Sequence, residues 1–115
     1  DSSISERIKI GYGNFISRNS SINNSVKIGN SVIINTAAVI EHECKIESVA
    51  HIGPGVVLCG GVTIKKGAFI GANSVIKENV CIGKNVVIGA GSVVLQNISD
   101  NSLAFGNPSR IKKWL

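Results

Sequence analysis

Every sixth residue from Ile4 onward is aliphatic: Ile4, Ile10, Ile16, Ile22, Ile28, Ile34, Ile40, Ile46, Ile52, Leu58, Ile64, Ile70, Ile76, Ile82, Ile88 and Val94. Sixteen positions keep this spacing without an insertion. A helix has a period of about 3.6 and a simple alternating strand a period of about 2, so neither produces it. Two residues before the aliphatic the side chain is usually small, as at Val26, Ala38, Cys44, Ala50, Val62, Ala68, Ser74 and Ser92. Side chains alternate along a strand, so that position shares the inward face. Three residues after the aliphatic, glycine or asparagine recurs at Gly55, Gly61, Gly67, Asn73, Asn79, Asn85, Gly91 and Asn97. These residues tolerate positive φ best, and the pattern predicts a short strand and a sharp corner in every hexad.

A six-residue repeat of this kind resembles the hexapeptide acyltransferases. The resemblance implies an all-β, left-handed parallel β-helix with three hexads, 18 residues, per coil. The handedness comes from the resemblance alone, because it runs against the usual right-handed crossover. Sixteen hexads make about five coils, and ~4.8 Å between strands gives a prism roughly 25 Å tall. Residues 1–98 are expected to form this acyltransferase domain and residues 99–115 a short C-terminal cap.

With that period, the residues just before each aliphatic sort into three outward columns. One is polar: Lys9, Lys27, Lys45, Thr63 and Cys81. A second is Ser3, Ser21, Val39, Val57, Val75 and Val93; the third is Phe15, Ile33, His51, Phe69 and Val87. Two apolar outer faces on one chain would leave a large patch in water, and two different patches suit a heterologous contact that closes into a ring. A three-sided prism suggests three members, so a homotrimer is expected.

Composition narrows the function classes. At 115 residues the chain is long enough for a core of its own, and 43% hydrophobic against 4% aromatic residues describes small branched aliphatics. It contains no methionine and begins at Asp1, which reads as part of a longer protein. No apolar run approaches the ~20 residues of a membrane span, and no secretory signal pattern opens the chain, so a cytoplasmic location without membrane attachment is expected. Three cysteines without metal-type spacing argue for free thiols and no metal. The net charge of +5 comes from lysines spread along the chain without a long basic run or interleaved aromatics. That excludes a nucleic-acid surface and leaves a solvated face or a polyanionic ligand.

Both histidines lie in VIEHECKIESVAHIGPG, residues 39 to 55. His42 falls at a corner and His51 in the apolar third column. Glu43 occupies a position where other hexads carry glycine or asparagine, beside an imidazole whose tautomer and basicity a carboxylate can set. One coil later the same corner carries Gly60, whose amide would lie about one strand spacing away. A general base beside a backbone donor is the minimum for acyl transfer. Cys44 reads as a core residue, and neither Cys59 nor Cys81 has a histidine placed as a partner, so a thiol nucleophile is not expected.

The run INTAAVIEHECKIESVAHIGPGVVLCGGVTIKKGAFIGANSVI, with IGAGSVV and the closing GNPSRIKKWL, is similar to the bacterial sialic-acid O-acetyltransferase and nucleotide-amino-sugar N-acetyltransferase family. This resemblance implies that His42 is the general base and Glu43 raises its basicity. It implies that His51, Gly60, Ala72 and Ala90 contact acetyl-coenzyme A as co-substrate, and that Asn35 lies near the sugar. It also implies a cap in the GNPSRIKKWL segment, with Arg110, Lys112 and Lys113 available to coenzyme A phosphates. Relatives carry a small α/β domain for the nucleotide or sugar before the β-helix, and nothing in this chain corresponds to it. The expected activity is transfer of an acetyl group to an amine or hydroxyl of a sugar, nucleotide sugar or sialic acid. The rival expectation is a non-catalytic trimeric scaffold or carbohydrate-binding module, which leaves Glu41, His42 and Glu43 without a purpose.

Overall fold

The computed structural model describes residues 7–115 and the strand pairing of residues 3 and 4; the burial of Ile4 lies outside the described residues. Each hexad forms a two-residue strand, from β1 (Ser3–Ile4) to β16 (Val93–Val94), with the second residue turned inward. The strands stack in parallel at intervals of 18 residues, as in Lys27↔Lys45 and Val39↔Val57. The result is a left-handed parallel β-helix of about five turns. Its three flat sheets carry the three columns read from the sequence, and are called here the valine, lysine and aromatic faces.

The interior is a ladder of aliphatics. Every sixth-residue position from Ile22 to Val94 is buried, and so are the small residues two places earlier, from Val26 to Ser92. Burying one such aliphatic side chain contributes about 1.5–3 kcal/mol. Inward serines are tolerated because their hydroxyls are bonded. Ser74 Oγ donates to Gly89 O at 3.1 Å and accepts from Ser92 N–H at 3.2 Å, and Ser92 Oγ donates to Gly89 O at 2.6 Å. Backbone N–H groups on either side of each aliphatic donate to the next coil, as Val39 N–H does to Val56 O at 2.8 Å and Glu41 N–H to Leu58 O at 2.9 Å.

The corners hold positive φ as expected, but more widely than glycine and asparagine mark it. Arg7, Ser25, Ser31, Ala37, Glu43 and Val49 all adopt it, with Val49 at φ 67°. Stacking on both sides imposes the corner even where the residue disfavours it, since the flanking strands fix its ends. Asn97 is the exception in the other direction and is not among the positive-φ residues. There the coil is two residues shorter, and Asn97 Oδ1 accepts from Cys81 N–H at 2.8 Å. The stack therefore continues past Val94 with a changed spacing: Ile98 pairs with Ile82 and Ala104 with Ile88, both buried. The strand β17 (Ser102–Gly106) then turns into β18 (Ser109–Trp114) as an antiparallel hairpin on the aromatic face. With this hairpin the molecule measures 37 × 22 × 21 Å.

Candidate active site

The corner between the valine and lysine faces carries the histidine. It presents, coil by coil, Asn24, His42, Gly60, Glu78 and Gln96. His42 Nδ1 lies 3.1 Å from Glu43 Oε1. A carboxylate only accepts, so this contact selects the Nδ1–H tautomer and leaves the Nε2 lone pair free. Glu43 reaches sideways because its backbone sits at φ 62°, anchored by its N–H to Asn24 O at 3.0 Å. Both side chains are open to solvent, 62% and 71% exposed.

Gly60 is where it is because the imidazole lies across it. A Cβ at that position would sit 2.7 Å from His42 Cε1 and 2.8 Å from Nε2. The Gly60 carbonyl accepts from Asn79 N–H at 3.0 Å, whereas no hydrogen bond among the described residues uses the Gly60 N–H. The residue that carries this unused backbone donor thus packs against the imidazole whose Nε2 can act as a base. His42, Glu43, Gly60, Gly61, Glu78 and Asn79 line a groove of about 560 Å³. Asn79, a corner residue in the sequence pattern, and Glu78 join this groove because they lie 36 residues, two coils, beyond Glu43 and His42.

The thiols sit behind this corner. Cys44 is buried, its Sγ–H donating to Cys59 O at 3.2 Å, and burial pushes its pKa from 9.0 to about 11. Burial also raises the Cys59 thiol, aided by the carboxylates of Glu78 and Glu41. Both remain protonated at neutral pH and are poor nucleophiles.

The other expected residues lie on a different edge. His51 is half-buried on the aromatic face between Ile33 and Phe69, its ring 4.7 Å from that of Phe69. Ala72 and Ala90 stack at the corner between the aromatic and valine faces, and Asn35 stands just before the same corner. Asn35 Oδ1 accepts from Thr36 N–H at 2.7 Å, leaving the side-chain NH₂ for a ligand. Beneath the alanines the backbones meet closely: a Cβ on Gly53 would lie 3.0 Å from Ala72 N, and one on Gly71 would lie 2.5 Å from Ala90 N. One chain therefore brings together His42, Glu43 and Gly60, and holds Asn35, His51, Ala72 and Ala90 apart from them. Among the described residues no group of three or more His, Cys, Asp or Glu is placed to hold a metal, and no helix is long and apolar enough to cross a membrane.

The family model described as bacterial transferase hexapeptide (six repeats) matches residues 43–78 and 61–96. Among solved structures, the chain is similar to PerB from Caulobacter crescentus in complex with CoA and GDP-perosamine. The identity is 36% and the TM-score 0.96, over 97% of this chain and 54% of that one. It is similar as well to the acetyltransferase domain of PglB from Neisseria gonorrhoeae in complex with acetyl coenzyme A. Here the identity is 30% and the TM-score 0.95, over 96% of this chain and 54% of that one. WeeI from Acinetobacter baumannii follows at 28% identity and a TM-score of 0.74, over 94% of this chain and 56% of that one. This chain thus spans about half the length of these solved relatives. No curated protein sequence matches it.

Proposed function

We propose that the chain is the catalytic β-helix of an acetyl-coenzyme A dependent acetyltransferase of the bacterial hexapeptide-repeat transferases, whose repeat it matches over residues 43–96. Its acceptor is the amine or hydroxyl of a sugar, nucleotide sugar or sialic acid. The observation that carries this reading is the 3.1 Å His42–Glu43 contact with Gly60 directly beneath the imidazole. The likeness to relatives solved with CoA, acetyl coenzyme A and GDP-perosamine supports it.

In this mechanism Glu43 holds the Nδ1–H of His42. His42 Nε2 takes the proton of the acceptor amine or hydroxyl as that atom attacks the thioester carbonyl. The Gly60 N–H stabilises the tetrahedral oxyanion. Collapse breaks the carbon–sulfur bond, and His42 returns its proton to the departing thiolate, so no covalent enzyme intermediate forms. Asn35 serves the sugar, while His51, Ala72 and Ala90 line the path of acetyl-coenzyme A. Residues 1–98 form the catalytic domain and residues 99–115 its cap.

Since the two groups of residues occupy different edges, the site is completed between chains of a homotrimer. The aromatic–valine edge of one subunit meets the His42 corner of the next, covering the apolar faces in the same step. Three free cysteines fit a reducing, cytoplasmic setting. Calorimetry with acetyl-coenzyme A is expected to give three sites per trimer. Thiol release with an amino-sugar nucleotide as acceptor should fall ~10²- to 10⁴-fold in His42→Ala while the trimer persists. A chain that binds no acetyl-coenzyme A, or a variant with near-normal turnover, refutes the assignment and leaves the scaffold reading.

A further inference from the structure

The lysine face begins where the His42 corner ends, since Lys45 lies three residues beyond His42. In the parallel register Lys9 pairs with Lys27 and Lys27 with Lys45, so three ammonium-bearing side chains rise from one column about 4.8 Å apart at the backbone. Like charges directly opposite one another on neighbouring strands are unfavourable. Among the described residues no salt bridge offsets them: the one lysine–carboxylate pair there is Lys77–Glu78, at 3.9 Å. Two carboxylates share grooves with these lysines, Glu43 and Glu47, and Glu47 Oε1 accepts from the Lys66 N–H at 3.1 Å.

The column also has a shaped floor. Lys9, Lys27 and Lys45 border a groove of about 270 Å³ with Gly29, Ser48 and the carboxylate-bearing Glu47. Gly29 lies close under Ser48, where a Cβ would come within 2.6 Å of Ser48 Oγ. A second groove of about 430 Å³ shares Lys27 and Lys45 with the first and adds Ser25, Glu43 and Cys44. Glu43 in turn lines the groove of His42. Three neighbouring depressions thus share wall residues between His42 and the lysines, Glu43 between the first pair and Lys27 and Lys45 between the second. The charge is confined to one direction along the column, because it continues past Lys45 with Thr63 and Cys81.

From this we infer that Lys9, Lys27 and Lys45 form an anion subsite that holds a diphosphate carried by the acceptor, with the acceptor's reacting end at His42. The inference rests on the acetyltransferase reading for the identity of the reacting end, not for the anion. Two adjacent phosphates match a column of ammonium groups better than one does, because each can lie between successive lysines. The direction assigns the anion to the acceptor: the lysines run from His42 toward the N-terminal coils, and the Ala72–Ala90 path runs toward the C-terminal ones.

The test is titration of the full chain with inorganic pyrophosphate at low ionic strength, followed by calorimetry. One site per chain is expected, weakened at least tenfold in Lys27→Gln/Lys45→Gln and unchanged in Lys65→Gln/Lys66→Gln, which removes the same charge elsewhere. The melting temperature of each variant confirms the fold. Absence of pyrophosphate binding, or equal weakening in both double variants, overturns the subsite. GDP is expected to displace pyrophosphate and coenzyme A to leave it bound; displacement by coenzyme A alone overturns the assignment to the acceptor. Should pyrophosphate bind the lysines of a chain that binds no acetyl-coenzyme A, the subsite stands and the acetyltransferase reading falls.

Discussion

Two edges of the same prism are built from the same hexad, yet one carries side-chain chemistry and the other carries almost none. At the valine–lysine corner the chain places His42, Glu43 and Glu78, and its two glycines are pressed by side chains, Gly60 by the imidazole of His42 and Gly61 by Asn79 Oδ1. At the aromatic–valine corner it places Ala72 and Ala90 over Gly53, Gly71 and Gly89. There Gly53 and Gly71 are pressed by backbone atoms, and Gly89 by Phe105 Cβ. The first edge offers a base and a free donor. The second offers a smooth path along main chain. The difference lies in what each glycine makes room for, and it can be tested glycine by glycine.

The largest effect is expected at the smooth edge. In Gly71→Ala the new methyl would lie 2.5 Å from Ala90 N and 2.6 Å from Ile88 O, both backbone atoms of the next coil. They cannot move without opening the stack, so the cost is about 3 kcal/mol or more. Thermal denaturation should show a melting temperature lower by more than about 10 °C. Gly60→Ala is the matched change at the other edge. Its methyl would meet the exposed His42 ring, which can swing away, so the fold should survive with a melting temperature within a few degrees of the parent. Turnover should fall roughly 100-fold, because base and amide no longer share one geometry. If Gly60→Ala unfolds the chain, or leaves turnover intact, the two edges do not differ in the way described.

The repeat made much of this readable in advance. Period six fixed which residues face inward, and period 18 stacked Gly60 on His42 and placed His51 beside Phe69. Both are consequences of strands in register, which a sequence displays directly. Glu78 and Asn79 obey the same arithmetic, two coils beyond His42 and Glu43, but their place in the groove shows only when the coils are stacked. The corners at Arg7, Ala37 and Val49 follow from the period and not from their residue types, since these side chains have no local preference for positive φ. The shortened coil from Val94 to Ile98 escaped the pattern because its two-residue contraction breaks the spacing that defines the repeat. Linkage of the lysine column to the His42 groove depends on side chains meeting across a corner, which spacing does not encode.

The interiors of the two edges also differ, and pH separates them. Behind the histidine corner the small inward residue is Cys44, and behind the smooth edge it is Ser74 and Ser92, which do not titrate. The folded Cys44 thiol holds its proton up to about 11 against an ordinary 9.0. A raised pKa means that the folded state binds the proton more tightly. The associated stability is therefore complete below about pH 9 and is lost as the pH rises through about 11. Two units correspond to about 3 kcal/mol. Urea denaturation across this window should show the parent losing more stability than Cys44→Ala by about that amount. Parallel curves would mean that the thiol is not desolvated behind the corner.

The smallest effect is expected from Glu43→Gln, and its size reports on whether the edges meet. Glutamine keeps an oxygen that accepts the Nδ1–H of His42, so orientation and tautomer persist while the charge is lost. In the single chain the pair is 62% and 71% exposed. The ion pair formed when His42 takes the acceptor's proton is worth about 1 kcal/mol or less in such solvent, which makes the expected loss in kcat roughly two- to fivefold. The same charge covered by the apolar edge of a neighbouring subunit would act through a lower dielectric and be worth far more. A loss near 100-fold would therefore show that the histidine corner is sealed by its neighbour during turnover. A loss within fivefold would show that the corner stays wet, with the smooth edge of the next subunit bordering the acceptor channel rather than closing it.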